Sequence, residues 1–462
     1  MRRIIPLVIT VVFTVVTPLL AEDASSSTNA VTVQTTQSAA REPVLDTGNT
    51  AWVLVSTALV FFMTVPALAL FYGGLVRKKN VLSILMQSFM SVALVSLIWV
   101  AFGYSLAFSD TELIPGVLGD FKWAFLHTIN PADLSPYAVS DTVGRIPHLV
   151  FVMFQCMFAA ITPALIIGAF AERIKFSGFL FFTVLWIIFV YTPLAHMVWS
   201  TNGWLLKLGA LDFAGGTVVH INAGFAALVT VLIIGKRKNL RSTPPHNLPF
   251  TLIGSAMLWF GWFGFNGGSS LAANGIAALA LLTTNTATAV AALVWALMDV
   301  IFNRRSTILG VATGAVVGLV AITPASGYVN VVGAMVIGAI ASVISFSMVT
   351  WIKERFGYDD SLDVFGCHGI GGLVGAILTG VFADPSVWKS FGAKYAGLAY
   401  GNPQQLIIQL IASGVSITVT LIGTLIIFKF VDLVIGVRVD EKSEAIGLDI
   451  TQHNERAYTV IE

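Results

Sequence analysis

Apolar residues dominate the chain in runs of about 20, separated by short polar stretches, and runs of that length match the hydrocarbon thickness of a bilayer. They predict eleven membrane-spanning helices at about 50–74, 80–108, 147–171, 177–199, 213–235, 248–269, 271–301, 306–324, 329–352, 364–383 and 404–430. The fold class that follows is an all-α polytopic membrane protein, because a helix satisfies its own backbone groups in lipid. The two ends lie outside the pattern. Residues 1–21 carry Arg2 and Arg3, a short apolar run and a cleavage-like site after Ala21, which predicts a signal peptide, with an uncleaved first helix as the rival reading. Residues 22–49 are rich in Ser, Thr and Ala without apolar period and read as a flexible extracytoplasmic segment. Residues 50–436 form the membrane domain, and 437–462 a charged cytoplasmic tail.

Charge sets the orientation. Loops after the odd spans hold thirteen Lys and Arg, from Arg77, Lys78 and Lys79 to Lys353 and Arg355. Loops after the even spans hold five: Lys122, Arg145, Lys207, Lys389 and Lys394. The bias predicts an extracytoplasmic N-terminus and a cytoplasmic C-terminus in the cell (inner or plasma) membrane. Composition agrees: 56% of the 462 residues are hydrophobic, 11% are charged, and the net charge of +1 offers no basic surface for nucleic acid. The two cysteines, Cys156 and Cys367, lie in apolar runs and are too few for a zinc cluster.

A repeat is visible. Ala160-Ile-Thr-Pro163 in the third span recurs as Ala321-Ile-Thr-Pro324 in the eighth. Asp212 precedes His220 by eight residues in the fifth span, and Asp360 precedes His368 by eight in the tenth. Five spans per unit is an odd number, so the second unit is expected to be inverted, with a site near the midplane. Eight helical residues rise about 12 Å, which brings the histidines towards each other from opposite surfaces. Small residues follow each at helical spacing, Ala223, Gly224 and Ala227 after the first, Gly371, Gly372 and Gly375 after the second, and such faces let helices approach closely.

The paired histidines carry the candidate chemistry. An intramembrane histidine is either packed against a backbone carbonyl or functional. A matched pair points to two imidazoles sharing one proton, titrating as a unit. No third ligand is evident, so neither metal nor cofactor is expected. Aromatic residues add a second element: Phe158 on the third span, Trp199 ending the fourth, and Phe265 in Gly261-Trp-Phe-Gly-Phe-Asn-Gly-Gly-Ser269. They read either as packing and interface belts or as faces for a desolvating cation, which Ser269 would assist as an acceptor. Asp212 reads as a helix cap or as a proton-handling group. Asp360 and Asp363 are rival caps of the tenth span.

With these motifs the chain resembles the ammonium transporter family (the Amt/Mep/Rh superfamily), in its bacterial Amt branch. The resemblance rests on Phe62-Met-Thr-Val-Pro-Ala-Leu-Ala-Leu-Phe-Tyr-Gly-Gly-Leu75, Gly168-Ala-Phe-Ala-Glu-Arg173, His196-Met-Val-Trp199, Asp212-Phe-Ala-Gly-Gly-Thr-Val-Val-His220, Gly261 to Ser269 and Asp363-Val-Phe-Gly-Cys-His368-Gly. It implies a homotrimer with one pore per subunit and a 5+5 inverted repeat plus an eleventh helix. It implies an outer ammonium site of Phe158, Trp199 and Ser269, a gate of Phe158 and Phe265, and a pore lined by His220 and His368. Asp212 would stand behind the recruitment site, and a PII-type signal protein would meet the cytoplasmic face. Cys367 departs from the aliphatic residue common beside the second histidine, Pro163 is absent from some relatives, and residues 22–49 are foreign to the family pattern.

The expected function is electrogenic ammonium uptake: the ion loses its proton outside, ammonia crosses an apolar pore, and the histidine pair relays the proton. The chain is not expected to be an enzyme. Rival readings are a passive ammonia channel, an ammonium sensor and a haem-bearing redox enzyme. Against the sensor stand only about thirty residues after the last span; against the haem, His148 and His196 have no evident partner at facing depths.

Overall fold

In the computed structural model the described residues are 44–137, 144–238, 244–391 and 395–458. The expected signal peptide, residues 22–43 of the expected tail, and Arg241 and Lys394 of the loop charges lie outside them. Apolar helices run in chain order as α1 (Thr47–Leu75), α2 (Lys78–Phe108), α3 (His148–Phe170), α4 (Phe176–Leu208), α5 (Gly216–Ile234), α6 (Leu248–Gly268), α7 (Gly275–Asn303), α8 (Ile308–Ile322), α9 (Val331–Phe356), α10 (Phe365–Phe382) and α11 (Pro403–Ile435). Among the described residues ten are long and apolar enough to cross a membrane, and α8, with 15 residues, is the shorter one. At the standard helical rise α8 reaches about 22 Å. The chain is a multi-pass helical membrane protein.

Burial separates the helices by depth in the fold. In α3, 94% of the most apolar window is buried, against 33% in α11. Leu97, Leu293 and Leu433 on the outer helices are exposed large apolar side chains, a surface suited to lipid rather than water. Pro66 kinks α1: it has no N–H for the helical ladder, and Val65 before it is extended at φ −137°, ψ 111°. After Trp199, α4 is interrupted by a turn at 200–203. A small antiparallel hairpin, β1 (Glu112–Ile114) and β2 (Leu118–Gly119), lies beside that turn, where Gly116 O accepts from Trp204 N at 3.1 Å. Two short helices follow α11: α12 (Glu441–Ile446) and α13 (Leu448–His453). They dock on the start of α2, where Asn80 accepts from Leu448 N at 2.8 Å and Asp449 accepts from Ser83 N at 2.9 Å.

The histidine-bearing helices α5 and α10 both open in a wide π-helical turn, Gly216–Ile221 and Phe365–Ile370. Among the described residues four other helices, α1, α2, α4 and α9, carry π-helical segments inside their length, but α5 and α10 begin with one. The two opening turns correct the depth argument from sequence. The intervals from Asp212 to His220 and from Asp360 to His368 are not helical throughout: Gly215 turns at φ +115° and Asp363 at φ +59°, so the helical part is only the second half of each interval. The small-residue faces meet in part: Gly224 meets Gly369, one turn before the expected face, Gly372 meets the His220 segment, and Gly375 packs on Ala321 of α8 instead. A Cβ on Gly224 would overlap the backbone of Gly369, and one on Gly372 would stand 2.9 Å from the His220 Cβ. Only glycine admits that approach.

Candidate substrate pathway

The two histidines meet. His220 Nδ1 and His368 Nδ1 are 3.2 Å apart, the ring centroids are 5.3 Å apart, and the planes differ by 24°. Both side chains are buried. A neutral imidazole has one donor and one acceptor nitrogen, so one ring donates to the other and a single proton occupies the gap. Trp262 stacks on His220 at 5.4 Å and 21°, and donates its Nε1–H to Thr323 Oγ1 at 2.8 Å. The sequence contained Trp262 only as one letter of the Gly261–Ser269 motif; its contact with the histidine needs α6 packed against α5.

Around the pair is a cavity of about 10 Å³, walled by Met63, Leu68, Ile161, Leu258, Trp262 and Phe265 together with both histidines. That is room for roughly one water-sized molecule. His220 Nε2 is buried without a hydrogen-bond partner in this wall. An apolar cell with one free ring nitrogen suits a small neutral hydrogen-bonding molecule and not a hydrated ion.

Two wider spaces flank the cell. On the Trp199 side a vestibule of about 190 Å³ is lined by Phe158, Trp199, Ser269, Gln155, Phe213 and Tyr137, among others. Phe158 and Trp199 stand at 87° with centroids 5.9 Å apart, and Trp199 Nε1 donates to Asp212 O at 3.0 Å, which fixes the indole. Ser269 Oγ donates to Phe265 O at 2.8 Å, so its lone pairs are free to accept from an N–H donor. Phe158 and Phe265 are tilted at 40° to each other with centroids 4.3 Å apart, between this vestibule and the histidine cell. On the far side a space of about 300 Å³ is lined by His368, Cys367, Asp363, Ser361 and Arg237. His220 lines only the narrow cell, whereas His368 lines both it and the far vestibule, which gives the pair a direction.

Asp212 is held by the backbone. Oδ1 accepts from Gly215 N at 2.9 Å and Gly216 N at 2.6 Å, and Oδ2 from Thr217 N at 2.9 Å and Val218 N at 3.1 Å. Both oxygens are spent on the free N–H groups of the turn that carries His220, which is the capping arrangement. Asp360 acts likewise for α10, accepting from Phe365 N at 2.8 Å, while Asp363 pairs with Lys353 instead. His148 and His196 are held by hydrogen bonds: His148 with Tyr104 Oη, and His196 with Glu112 Oε1 at 2.9 Å and Ala107 O at 3.0 Å.

An ion network that the sequence did not disclose ties the loops beneath the far vestibule. Glu172 meets Arg77 at 2.7 Å and Arg237 at 3.2 Å, and Asp359 meets Arg237 at 2.8 Å and Arg173 at 3.8 Å. Burial pushes both carboxyl groups up, yet the surrounding guanidiniums prevail and hold each below its ordinary value, 4.5 for Glu172 and 3.8 for Asp359. A depressed folded value adds stability that is complete above the ordinary value and is lost as pH falls through the folded one. The thermal midpoint of detergent-solubilised protein is therefore expected to hold from pH 7 to about 5 and to fall steeply below about 4. Glu172→Gln should lower stability at pH 7 by about 3 kcal/mol, because it takes the counter-charge from Arg77 and leaves Arg237 with Asp359 alone. A midpoint independent of pH down to 3 would contradict this.

The profile of the Ammonium Transporter Family matches residues 51–458. This chain belongs to that family. It is 50% identical over 422 residues to the ammonium transporter of Aquifex aeolicus, covering 91% of this chain and 96% of that one. It is 48% identical over 411 residues to the ammonium transporter of Bacillus subtilis, covering 89% and 98%. Among solved structures it resembles Mep2 of Saccharomyces cerevisiae with TM-score 0.79 at 34% identity, over 86% of this chain and 88% of that one. It also resembles a protein named Sensor Amt Protein, with TM-score 0.78 at 27% identity, over 88% and 98%. The ammonium transporter family inferred from the sequence motifs is thus the one to which the chain belongs.

Proposed function

We propose that this chain takes up ammonium across the cell membrane by splitting it. The ion binds in the Trp199 vestibule, between the aromatic faces of Phe158 and Trp199 and the free lone pairs of Ser269. An aromatic face stabilises a desolvating cation by roughly 0.5–2 kcal/mol, and an accepting hydroxyl adds one hydrogen bond. Carrying the intact ion through the apolar cell would cost several kcal/mol or more. NH4+ therefore gives up H+, NH3 passes the Phe158–Phe265 gate into the cell, and the proton crosses the His220–His368 pair. Ammonia and proton arrive together in the far vestibule, and one positive charge moves per ammonium. The observation that carries this reading is the 3.2 Å nitrogen-to-nitrogen contact of two buried imidazoles in a cell with room for about one small molecule.

The architecture belongs to the same reading. We take α8 as an eleventh, shorter crossing and α1–α5 and α6–α10 as inverted repeats. The matched π-turns and the matched back-bonds of Thr162 to Phe158 O at 2.6 Å and Thr323 to Leu319 O at 2.7 Å support this. The loop charges support an extracytoplasmic Trp199 vestibule and a cytoplasmic C-terminus. Family membership supports a homotrimer and a PII-type partner at the cytoplasmic face.

Trp199→Leu tests the recruitment site. In liposomes given ammonium pulses, the half-saturating concentration is expected to rise by about tenfold, the fold equivalent of losing a 1–2 kcal/mol cation–π contact, with the maximal signal less affected. Potassium pulses should evoke nothing in either protein. Unchanged half-saturation would contradict the assignment. Ammonia flux without current would favour a passive channel. Binding without either would favour a sensor, the activity in the name of one structural relative.

A further inference from the structure

Helix α11 lies outside both five-helix units, yet it reaches the histidine segments through one polar face. Gln409, Ser416 and Thr420 fall at spacings of seven and four along it, which places them on one side. Ser416 Oγ donates to Thr217 O at 3.0 Å, and Thr420 Oγ1 donates to Asn222 Oδ1 at 2.8 Å, so both brace the segment that holds His220. Gln409 does more. Its Oε1 accepts from Leu211 N at 2.7 Å, and its Nε2 donates to Leu211 O at 2.8 Å and to Ala376 O at 3.1 Å.

Those two partners belong to different halves of the pair. Leu211 is the residue before Asp212, whose carboxylate caps the turn that carries His220. Ala376 lies on α10, the helix of His368, four residues beyond Gly372. At Gly372, α10 touches the His220 Cβ and the backbone of Gly216, closely enough that only a glycine fits. Gln409 thus spans the α5–α10 contact one helical turn from the point where the two helices press together. It is buried. No chemistry described above uses it: it lines neither vestibule nor the histidine cell.

We propose that Gln409 is a positioning residue for the proton path: its amide staples the loop that leads through Asp212 into α5 to α10, the helix of His368, and so sets the separation of His220 and His368. At 3.2 Å the nitrogens are near the outer limit of a hydrogen bond, so a small splaying of the helices breaks the contact. The ammonia path does not share this sensitivity, because an apolar cell that widens slightly still passes a neutral molecule. The inference rests on the relay reading given above.

Two variants test it. Gln409→Leu is close in volume and removes these three bonds together with a long one accepted from Gln405 Nε2 at 3.4 Å. Gln409→Glu keeps the acceptor for Leu211 N and removes at least one of the two donated bonds, because a buried carboxyl has at most one O–H to donate. For wild type and both variants, ammonium-evoked current and uptake of isotope-labelled ammonium are read from the same liposome preparation, and the charge moved per ammonia is compared. The expected result is a fall of that ratio by about tenfold or more in both variants, since misplacement by about 1 Å costs up to roughly a hundredfold in a step that needs alignment, while ammonia flux stays within about twofold of wild type. Ser416→Ala, which removes a bond to one helix only, is expected to leave the ratio near wild type. A ratio unchanged in a folded Gln409 variant would overturn the inference. So would equal loss of current and ammonia flux, which is what a merely structural role gives. If Gln409→Leu does not fold, Gln409→Glu decides alone. Absence of current in the wild type would instead refute the relay reading.

Discussion

Replacing His220 and His368 together by alanine is expected to lower the ammonium-evoked current by about a hundredfold or more, the scale of losing a positioned proton-transfer group. Each ring shares a single hydrogen bond with the other, so removing either breaks the relay, and the double variant should be little worse than the single ones. Ammonia flux should continue and now appear as internal alkalinisation, because no proton accompanies it and alanine enlarges an already apolar cell whose other walls include Met63, Ile161, Leu258 and Trp262. Stability should fall by about 2–5 kcal/mol, because both rings are buried and His220 stacks on Trp262 and Phe265, so their loss leaves a cavity. An unchanged current in the double variant would remove the relay from the mechanism.

The second large effect belongs to Asp212. Asp212→Ala is expected to abolish current and ammonia flux together and to lower stability by about 3 kcal/mol or more, since four backbone N–H groups lose their acceptors inside the fold. Asp212→Asn separates capping from proton handling. Its one carbonyl oxygen still serves two of the four donors, so if capping is the role it should recover much of the stability and an appreciable share of transport. If the carboxylate itself takes the proton, Asn should fold well and carry no current. The four bonds favour capping, and a stable, silent Asn variant would overturn that preference. The measurements are the thermal midpoint in detergent and the current in liposomes.

How much of this was legible in the sequence depends on the range of the interaction. The helices were, because a crossing demands about 20 apolar residues whatever the tertiary contacts. α5 is expected at 213–235 and observed at Gly216–Ile234, and α11 at 404–430 and Pro403–Ile435. The histidine pair was legible through its matched context, and the approach of α10 to α5 at Gly224 and Gly372 through its small residues, though Gly369, which meets Gly224, was not singled out. The wide turns were not: Gly215 announces freedom at φ +115° but not the π-turn it starts, and the assumption of continuous helix from Asp212 failed there. Long-range side-chain partners left no local pattern at all. Gln409 and Leu211 are 198 residues apart, and Arg237 and Asp359 are 122 apart. Nothing near either position in the chain points to the other. Trp262 shows the intermediate case, a residue visible within a motif whose place against His220 appears only when α6 packs on α5.

The most direct test of split transport is a simultaneous record of current and internal pH from wild-type liposomes on a solid-supported membrane, after an ammonium pulse with a potassium pulse as control. Relay across the His220–His368 contact requires a transient inward current with ammonium alone and no net internal alkalinisation, because each ammonia arrives with its proton. Internal alkalinisation with no accompanying current would contradict it and leave a channel for neutral ammonia.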